Sequence, residues 1–196
     1  MTFQGVKIAT IQGKILKQSV IFDSFNLKDQ YNRDFLNRDL RGRWHIISFG
    51  YSQCPDVCPT TLMTMVQLSN LLKENNDNET NFIFYSVDPL RDSSAILSTY
   101  INYFDRHFIA LRSANKSGKK FEKALGIKVN ISNNGADEKD YKVSHNLLIL
   151  AINPNAALQA VFFPEKDSRG LDSFDYRRLY LDFLAVKDHF KNYLTK

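Results

Sequence analysis

Two short apolar runs, each followed by a turn and a segment of helical spacing, limit the folds open to this chain most strongly. Residues 44–49 (WHIISF) stop at Gly50, and apolar side chains then recur at helical intervals over residues 61–72. Residues 82–87 (FIFYSV) form the second run, and a helical pattern follows over residues 95–104. Compact runs of this kind indicate strands that are buried on both faces. The chain therefore predicts buried strands that alternate with helices.

The remaining pattern extends this alternation and ends in a hairpin and a long helix. Residues 5–22 alternate like a strand, while residues 25–40 and 132–140 are interpreted as a polar connecting segment and a polar loop. The further predicted elements are an extended segment at 108–111, a helix at 119–125, strands at 146–152 and 157–163, and a helix at 174–193. This order predicts one α/β domain over residues 1–196 with a thioredoxin-like fold. We expect a central mixed sheet flanked by helices, with an N-terminal strand or hairpin extension over residues 1–22.

Composition excludes several classes of protein. The length of 196 residues, with 43% hydrophobic and 24% charged residues, suits a globular domain and excludes disordered and disulfide-scaffold proteins. The chain has no run of about 18 apolar residues, so it is not a polytopic membrane protein. The net charge is +5, but the basic residues are scattered, so we expect no nucleic-acid partner, although the charge would favour an acidic protein partner. No signal peptide is visible, so we expect either a cytosolic protein or a sequence that begins after a removed anchor.

The chain contains two cysteines, Cys54 and Cys58, between the first buried strand and its helix. Functional groups gather at the carboxyl ends of strands in open α/β sheets, and a helix N-terminus favours thiolate over thiol. Two thiolates at this spacing can chelate one soft metal ion or close a small disulfide ring. A purely structural pair is the alternative, but the short spacing at a strand end favours a functional pair. The spacer is one residue longer than that of ordinary thioredoxin-like redox motifs.

A nitrogen ligand would allow such a site to hold Cu(II) as well as Cu(I), and the chain has four histidines. His45 lies in a predicted strand, where a structural role is favoured. His107 lies in a turn and His189 lies on the terminal helix, where we expect it to be exposed. His145 precedes a predicted strand and follows a long loop, so it is free to reach a site built elsewhere. Its position alone leaves its role open.

Other side chains near the cysteines each have a less specific interpretation. Asp88 follows the second predicted strand, where it is either an acceptor behind a metal ligand or a cap of the next helix. Asp56 lies between the cysteines, which favours a turn or a partner contact. Met63 and Met65 are soft donors, but residues two positions apart on a helix point to different faces, so a packing role is favoured.

Several segments resemble the SCO/SenC family, the copper-binding assembly factors of cytochrome c oxidase. Residues 49–59 (FGYSQCPDVCP) resemble the cysteine signature of that family, and this is the most specific match. Residues 86–92 (SVDPLRD) and 140–145 (DYKVSH) resemble two further family segments, the second of which supplies a histidine ligand. Residues 25–27 and 40–44 resemble the family's entry into the first core strand. The resemblance extends over nearly the whole chain.

The resemblance implies a thioredoxin-like copper metallochaperone rather than an enzyme. It assigns Cys54, Cys58 and His145 as the ligands of one copper ion, Cu(I) or Cu(II), and it assigns Asp88 to metal handling or partner contact. The implied partner is the copper domain of cytochrome c oxidase subunit II, with other copper carriers as further candidates. Family members are usually tethered by one N-terminal helix, and because no such tether is visible in this sequence, we expect the sequence to be the soluble portion. The implied location is the periplasmic side of a bacterial inner membrane, with the mitochondrial intermembrane space as the alternative.

Other functions remain open for the same residues. A thiol–disulfide reductase would use Cys54 and Cys58 on the cysteines of the copper-receiving protein. A peroxiredoxin-like peroxidase is less favoured, because Tyr51 stands where such enzymes have Thr or Ser, and a module that uses copper as a signal also fits. We further expect the loop over residues 132–144 to be mobile. Without metal, that loop would hold His145 too far from the sulfurs for coordination.

Overall fold

The computed structural model describes residues 11–113, 117–133 and 141–194, which contain twelve strands and four α-helices. The strands are β1 (Gly13–Ile21), β2 (Asn26–Asp29), β3 (Asp34–Leu36), β4 (His45–Gly50), β5 (Asn81–Ser86), β6 (Ile109–Arg112), β7 (Val129–Asn133), β8 (Tyr141–His145), β9 (Ile149–Asn153), β10 (Ala157–Phe162), β11 (Glu165–Lys166) and β12 (Asp172–Ser173). The helices are α1 (Val57–Glu74), α2 (Ser94–Phe104), α3 (Ser117–Leu125) and α4 (Tyr176–Leu194), and a short 3-10 helix spans Asn37–Leu40. None of these helices is both long enough and apolar enough to cross a lipid bilayer.

Eight strands form one mixed sheet in the order β1–β10–β9–β4–β5–β6–β2–β3. Parallel pairing joins β4 to β5 and β5 to β6, and the other five pairs are antiparallel. The two predicted buried strands are β4 and β5, which are neighbours in the interior of the sheet, so the predicted mixed sheet is confirmed. Their last residues, Gly50 and Ser86, are opposite each other. The loops that follow both strands therefore lie at the same edge of the sheet.

The sheet separates two hydrophobic layers, because side chains alternate between the faces of a strand. Ile46 of β4 belongs to a core cluster with side chains of α1, α2 and α4, among them Phe183. Its neighbour Ile47 belongs to a second cluster with Phe121 of α3 and Val143 of β8. Both isoleucines are fully buried. The second face is therefore covered by α3 and by the β7–β8 hairpin.

The prediction of a polar connecting segment over residues 25–40 is wrong. This segment contains β2 and β3, which extend the sheet beyond β6, followed by the 3-10 helix. Leu27 and Phe35 are opposite each other in the β2–β3 pair, and both are buried. The strands have only four and three residues, so their alternation with polar side chains is too short to stand out in the sequence.

The long polar loop predicted over residues 132–140 also differs at its start. Ser132 belongs to β7, which pairs antiparallel with β8 from Val129 opposite His145 to Asn133 opposite Tyr141. Residues 134–140 lie outside the described part of the chain. At the N-terminus, the predicted strand extension is present as β1, which pairs with β10 at the sheet edge. Residues 1–10 of that extension are also outside the described residues.

Candidate metal centre

The two cysteines lie where β4 gives way to α1. The strand stops at Gly50 and the helix starts at Val57, so Cys54 is in the connecting loop and Cys58 is the second residue of the helix. The backbone N–H of Cys54 donates a hydrogen bond to the carbonyl of Tyr51 over 3.1 Å, which closes a turn before the helix. The first N–H groups of a helix have no partner within it and carry partial positive charge. The loop therefore holds the Cys54 sulfur close to backbone N–H donors that favour a thiolate.

Cys58 is only 3% exposed, because its side chain occupies space that Gly50 leaves open. A Cβ atom at Gly50 would lie 2.4 Å from the Cys58 Sγ and 3.3 Å from a ring carbon of Phe84. The first distance is far shorter than any van der Waals contact. The glycine at the end of β4 therefore allows the sulfur to approach the strand.

His145, the last residue of β8, points its Nε2 at Cys58, with 3.8 Å between Nε2 and Sγ. Its Nδ1 is 2.9 Å from the carbonyl oxygen of Asn146, and because a carbonyl only accepts, Nδ1 carries the proton. In this tautomer the lone pair of Nε2 faces the Cys58 sulfur, and such an unprotonated imidazole nitrogen is the atom that binds metals. The rings of Phe49 and Tyr51 pack edge-on against it, with centroids 5.6 and 6.2 Å away. Packing and hydrogen bonding thus fix the orientation of the imidazole.

Neither thiol is part of a disulfide, and the surroundings of the two thiols shift their pKa values in opposite directions. A hydrogen bond between the side chains is the largest influence on both: it lowers the pKa of the Cys54 thiol and raises the pKa of Cys58. Backbone N–H donors of Asp56 and Cys58 lower the pKa of Cys54 further, while burial raises the pKa of Cys58. Cys54, which is half-buried, is therefore the first to become a thiolate and the more accessible of the two.

Two thiols and one imidazole suit a soft or borderline metal ion such as copper or zinc. With metal–sulfur and metal–nitrogen distances of about 2.3 and 2.0 Å, one ion can contact both atoms across a gap of 3.8 Å. Among the residues that the structure describes, no three His, Cys, Asp or Glu side chains already form a closed metal site. Cys58 and His145 are therefore close enough for one ion to contact both, while Cys54 lies in the adjoining loop.

The loop that carries Cys54 is fastened to the neighbouring strand by a buried carboxylate. Asp92 is fully buried and accepts hydrogen bonds from the backbone N–H and the hydroxyl of Ser52. It also accepts a hydrogen bond from the hydroxyl of Ser86, the last residue of β5. The start of the cysteine loop is thus tied to the end of β5.

Asp88, the acidic residue singled out in the sequence, is 1% exposed beyond the end of β5. Its carboxylate accepts hydrogen bonds from the guanidinium of Arg91 and from the hydroxyl of Tyr141 on β8. It does not cap the following helix, because the N-cap of α2 is Ser93, whose side chain accepts from the backbone N–H of Ile96. Asp88 therefore connects the loop after β5 to the strand that ends in His145.

The other candidate side chains lie apart from this cluster. His45 is 1% exposed in β4 and contacts the Leu40 carbonyl, whereas His107 is exposed and hydrogen-bonds to Asp105. The methionines point to different faces of α1, as predicted, since Met63 is 49% exposed and Met65 is fully buried. Asp56 is exposed at the start of α1. His189 is partly buried, although the sequence predicted an exposed side chain.

The displacement of His145 away from the sulfurs in the absence of metal stays a prediction; in this structure the His145 Nε2 lies 3.8 Å from the Cys58 Sγ. Residues 141–144, predicted as the end of a mobile loop, belong instead to strand β8, whose pairing with β7 brings His145 beside Cys58. Gly50, Arg91 and Tyr141 were not predicted as parts of the site. Each lies within a segment that carries the family resemblance, which is the signal that could have identified them.

The sheet order, the helices and the dithiol–imidazole cluster define a thioredoxin-like α/β protein with a candidate metal site at a strand end. Solved structures support this class. The Bradyrhizobium japonicum ScoI structure with copper bound is 25% identical, with a TM-score of 0.67 over 86% of this chain and 98% of that chain. BsSco, a member of the Sco family of cytochrome c oxidase assembly proteins in which a disulfide switch is described, is 17% identical, with a TM-score of 0.62 over 89% of this chain and 96% of that chain.

The family itself is defined by sequence. The family model described as SCO1/SenC matches residues 14–172, so the chain belongs to the SCO1/SenC family. An SCO2-like protein of Rickettsia typhi is 29% identical over 164 residues, which are 83% of this chain and 80% of that protein. The thioredoxin-like fold and the family resemblance of the sequence are both confirmed.

Proposed function

We propose that this protein is a copper metallochaperone that binds one copper ion through Cys54, Cys58 and His145. The approach of His145 Nε2 to within 3.8 Å of Cys58 Sγ, beside a second free thiol, carries this proposal. Membership of the SCO1/SenC family and the copper in the related ScoI structure support copper as the metal. The copper ion is cargo in this proposal, because a chaperone receives it and passes it on.

The chemistry of the three side chains suits a carrier. Thiolates are soft ligands that hold Cu(I), and the imidazole nitrogen adds a harder ligand that favours Cu(II). Cys54 is half-buried in a loop, so ligands from a recipient protein can approach the ion from that side. Cys58 and His145 are held by packing, which would keep the ion in place until a recipient arrives.

Proteins of the Sco family take part in cytochrome c oxidase assembly. We propose more specifically that the recipient is the copper domain of oxidase subunit II, and that other copper carriers deliver the ion. The net charge of +5 supports docking to an acidic protein surface rather than to nucleic acid, given how scattered the basic residues are. We propose that the protein works at the periplasmic side of a bacterial inner membrane, and the mitochondrial intermembrane space is the alternative location.

Anaerobic titration of the reduced protein with Cu(I) tests the proposal. We expect about one copper per chain, with binding lost in Cys54→Ala and Cys58→Ala and retained in the control variant His107→Ala. His107 is a suitable control because it is exposed and pairs only with a neighbouring turn residue in the described structure. A stoichiometry near two, or no binding after full reduction, would refute the proposal.

The role of His145 is tested separately with both oxidation states. We expect His145→Ala to lower Cu(II) affinity by at least about tenfold and to change Cu(I) affinity much less, because two thiolates satisfy Cu(I). Competition titrations with a chelator of known affinity measure both effects. Equal losses for the two ions would show that the imidazole does not distinguish between them.

Thiol–disulfide reduction is the second candidate, and the accessible Cys54 thiol with its lowered pKa favours it. The Cys54 thiolate would attack a disulfide in the recipient, forming a mixed disulfide and releasing one recipient thiolate. Cys58 would then lose its proton and attack the Cys54 sulfur, releasing the second recipient thiolate. The recipient gains two electrons and this protein is left with a Cys54–Cys58 disulfide.

Trapping separates the two functions. With Cys58→Ala, a mixed disulfide should accumulate through Cys54 when an oxidised copper-domain dithiol is supplied, and Cys54→Ala should give none. His145→Ala should leave this reaction intact while it weakens Cu(II) binding. Failure to form any mixed disulfide would leave copper transfer as the function of the site.

A further inference from the structure

The two segments that carry the proposed copper ligands also meet at the side chain of Arg91. The guanidinium carbon of Arg91 lies 5.6 Å from the ring centroid of Tyr51 and 4.1 Å from that of Tyr141. Tyr51 begins the cysteine loop, and its carbonyl accepts from the backbone N–H of Cys54. Tyr141 is the first residue of β8, the strand that ends in His145. One cation is therefore in contact with both ligand-bearing segments.

Arg91 is itself fixed in orientation. Its Nε donates to the buried carboxylate of Asp88, and its Nη1 donates to the backbone carbonyl of Tyr141 over 3.1 Å. Asp88 also accepts a hydrogen bond from the hydroxyl of Tyr141. The Arg91 guanidinium and the Tyr141 ring beside it are therefore both hydrogen-bonded to the same carboxylate. The Arg91 side chain is only 17% exposed, and that of Asp88 is 1% exposed. Charge-assisted hydrogen bonds in such a setting are stronger than neutral ones.

We propose that Arg91 is a positioning residue that holds β8 against the cysteine loop and so keeps His145 within reach of Cys58. Only the effect of Arg91 on copper binding rests on the proposed function. If His145 serves Cu(II) more than Cu(I), then Arg91 sets the preference of the site between the two oxidation states without touching the ion. The geometric part, the tethering of β8, stands independently of copper.

The first experiment uses the reduced, metal-free protein and measures amide hydrogen exchange in residues 141–145. Arg91→Met should speed exchange in this strand by about tenfold or more, because it removes the contacts to both the Tyr141 carbonyl and Asp88. Arg112→Met is the matched control: Arg112 donates to the Pro89 carbonyl in the same loop, but its described contacts do not include either tyrosine. Equal exchange of β8 in the two variants would overturn the proposal.

The second experiment measures affinity for Cu(I) and Cu(II) and the Cu(II)–thiolate absorption spectrum. We expect Arg91→Met to lower Cu(II) affinity by about tenfold and to shift the absorption band, since partners behind a metal ligand typically contribute this much. Cu(I) affinity should stay within about twofold. A parallel loss for both ions would overturn the claim that Arg91 acts through His145.

Two more variants keep the test decisive. Arg91→Lys retains the positive charge, but a single ammonium group lacks the planar fork that reaches two acceptors, so it should resemble Arg91→Met. Full recovery with lysine would show that charge alone is sufficient, against the positioning role. If Arg91→Met fails to fold, Tyr141→Phe removes only the hydroxyl bond to Asp88 and should give a smaller change of the same kind. Absence of copper binding in the unmodified protein would refute the proposed function, while the exchange data would still decide the role of Arg91.

Discussion

His45 and His145 are imidazoles in contrasting surroundings. His145 has a hydrogen-bonded Nδ1 and an Nε2 that faces a thiol at the edge of the sheet. His45 is 1% exposed in β4, its Nε2 donates to the Leu40 carbonyl over 3.1 Å, and its buried Nδ1 has no hydrogen-bond partner among the described residues. Burial lowers the pKa of His45 to about 4 and keeps the ring neutral. The same side chain is thus a candidate ligand in one place and a core residue in the other.

The lowered pKa of His45 predicts an acid-sensitive fold. The unfolded chain takes up the histidine proton near pH 6.5, whereas the folded protein resists it until about pH 4. Stability is therefore complete above pH 6.5 and falls as the pH drops towards 4, by about 3 kcal/mol in total from this group. Denaturant unfolding of the metal-free protein across this range should show that slope, and His45→Phe should remove most of it. An unchanged slope in the variant would mean that other groups cause the acid sensitivity.

At the scale of elements, the core strands and most helices were predictable because their signals are local. The strand runs and helical spacings of β4, α1, β5 and α2 lie within single stretches of sequence, and the cysteine loop between β4 and α1 follows from them. The strands β2, β3, β7 and β8 were missed because each is short and gains stability from pairing with a partner. The role of Arg91 was missed for a related reason, since its contact with Tyr141 joins residues that are 50 positions apart.

The link between the cysteine loop and β5 should be sensitive to a single buried atom. Asp92→Asn keeps the size of the side chain, but replaces one acceptor oxygen with a donor that faces the donors of Ser52 or Ser86. We expect a loss of about 1–3 kcal/mol in unfolding free energy. Faster alkylation of Cys54 in the folded protein should accompany it, because the start of the loop is released.

The exposed carboxylate of Asp34 provides the control for Asp92. Asp34 pairs with Lys28 at the surface, where ion pairs contribute little, so Asp34→Asn should change neither stability nor the alkylation rate noticeably. If Asp92→Asn behaved like Asp34→Asn in both measurements, the hydrogen bonds of Asp92 would not be what fastens the loop.

At the scale of the whole molecule, the candidate site and the outermost strand pair of the sheet, β1–β10, lie in different places. The proposed ligands follow the C-terminal end of β4, an interior strand, and end β8 in the separate β7–β8 pair, while β1 is the edge strand beyond β10 and β9. Most side chains of β1 are exposed, so this strand contributes backbone pairing to the fold more than apolar burial. Stability and metal binding should therefore be separable by substitution.

Two glycines allow this separation to be measured with the same chemical change. A Cβ at Gly13, where φ is 155°, would lie 2.1 Å from the Val161 carbonyl oxygen, whereas a Cβ at Gly50 would lie 2.4 Å from the Cys58 Sγ. Both substitutions to alanine should lower the unfolding free energy by about 1–3 kcal/mol, because each forces close-packed atoms apart. Gly13→Ala should leave Cu(I) affinity within about twofold, since it disturbs only the β1–β10 pair, while Gly50→Ala should weaken it by about tenfold by displacing a proposed ligand.

Adding Cys58→Ala to each variant completes the test. It should relieve part of the loss of unfolding free energy caused by Gly50→Ala and none of the loss caused by Gly13→Ala. Identical effects in the two backgrounds would mean that the sulfur does not occupy the space that Gly50 leaves.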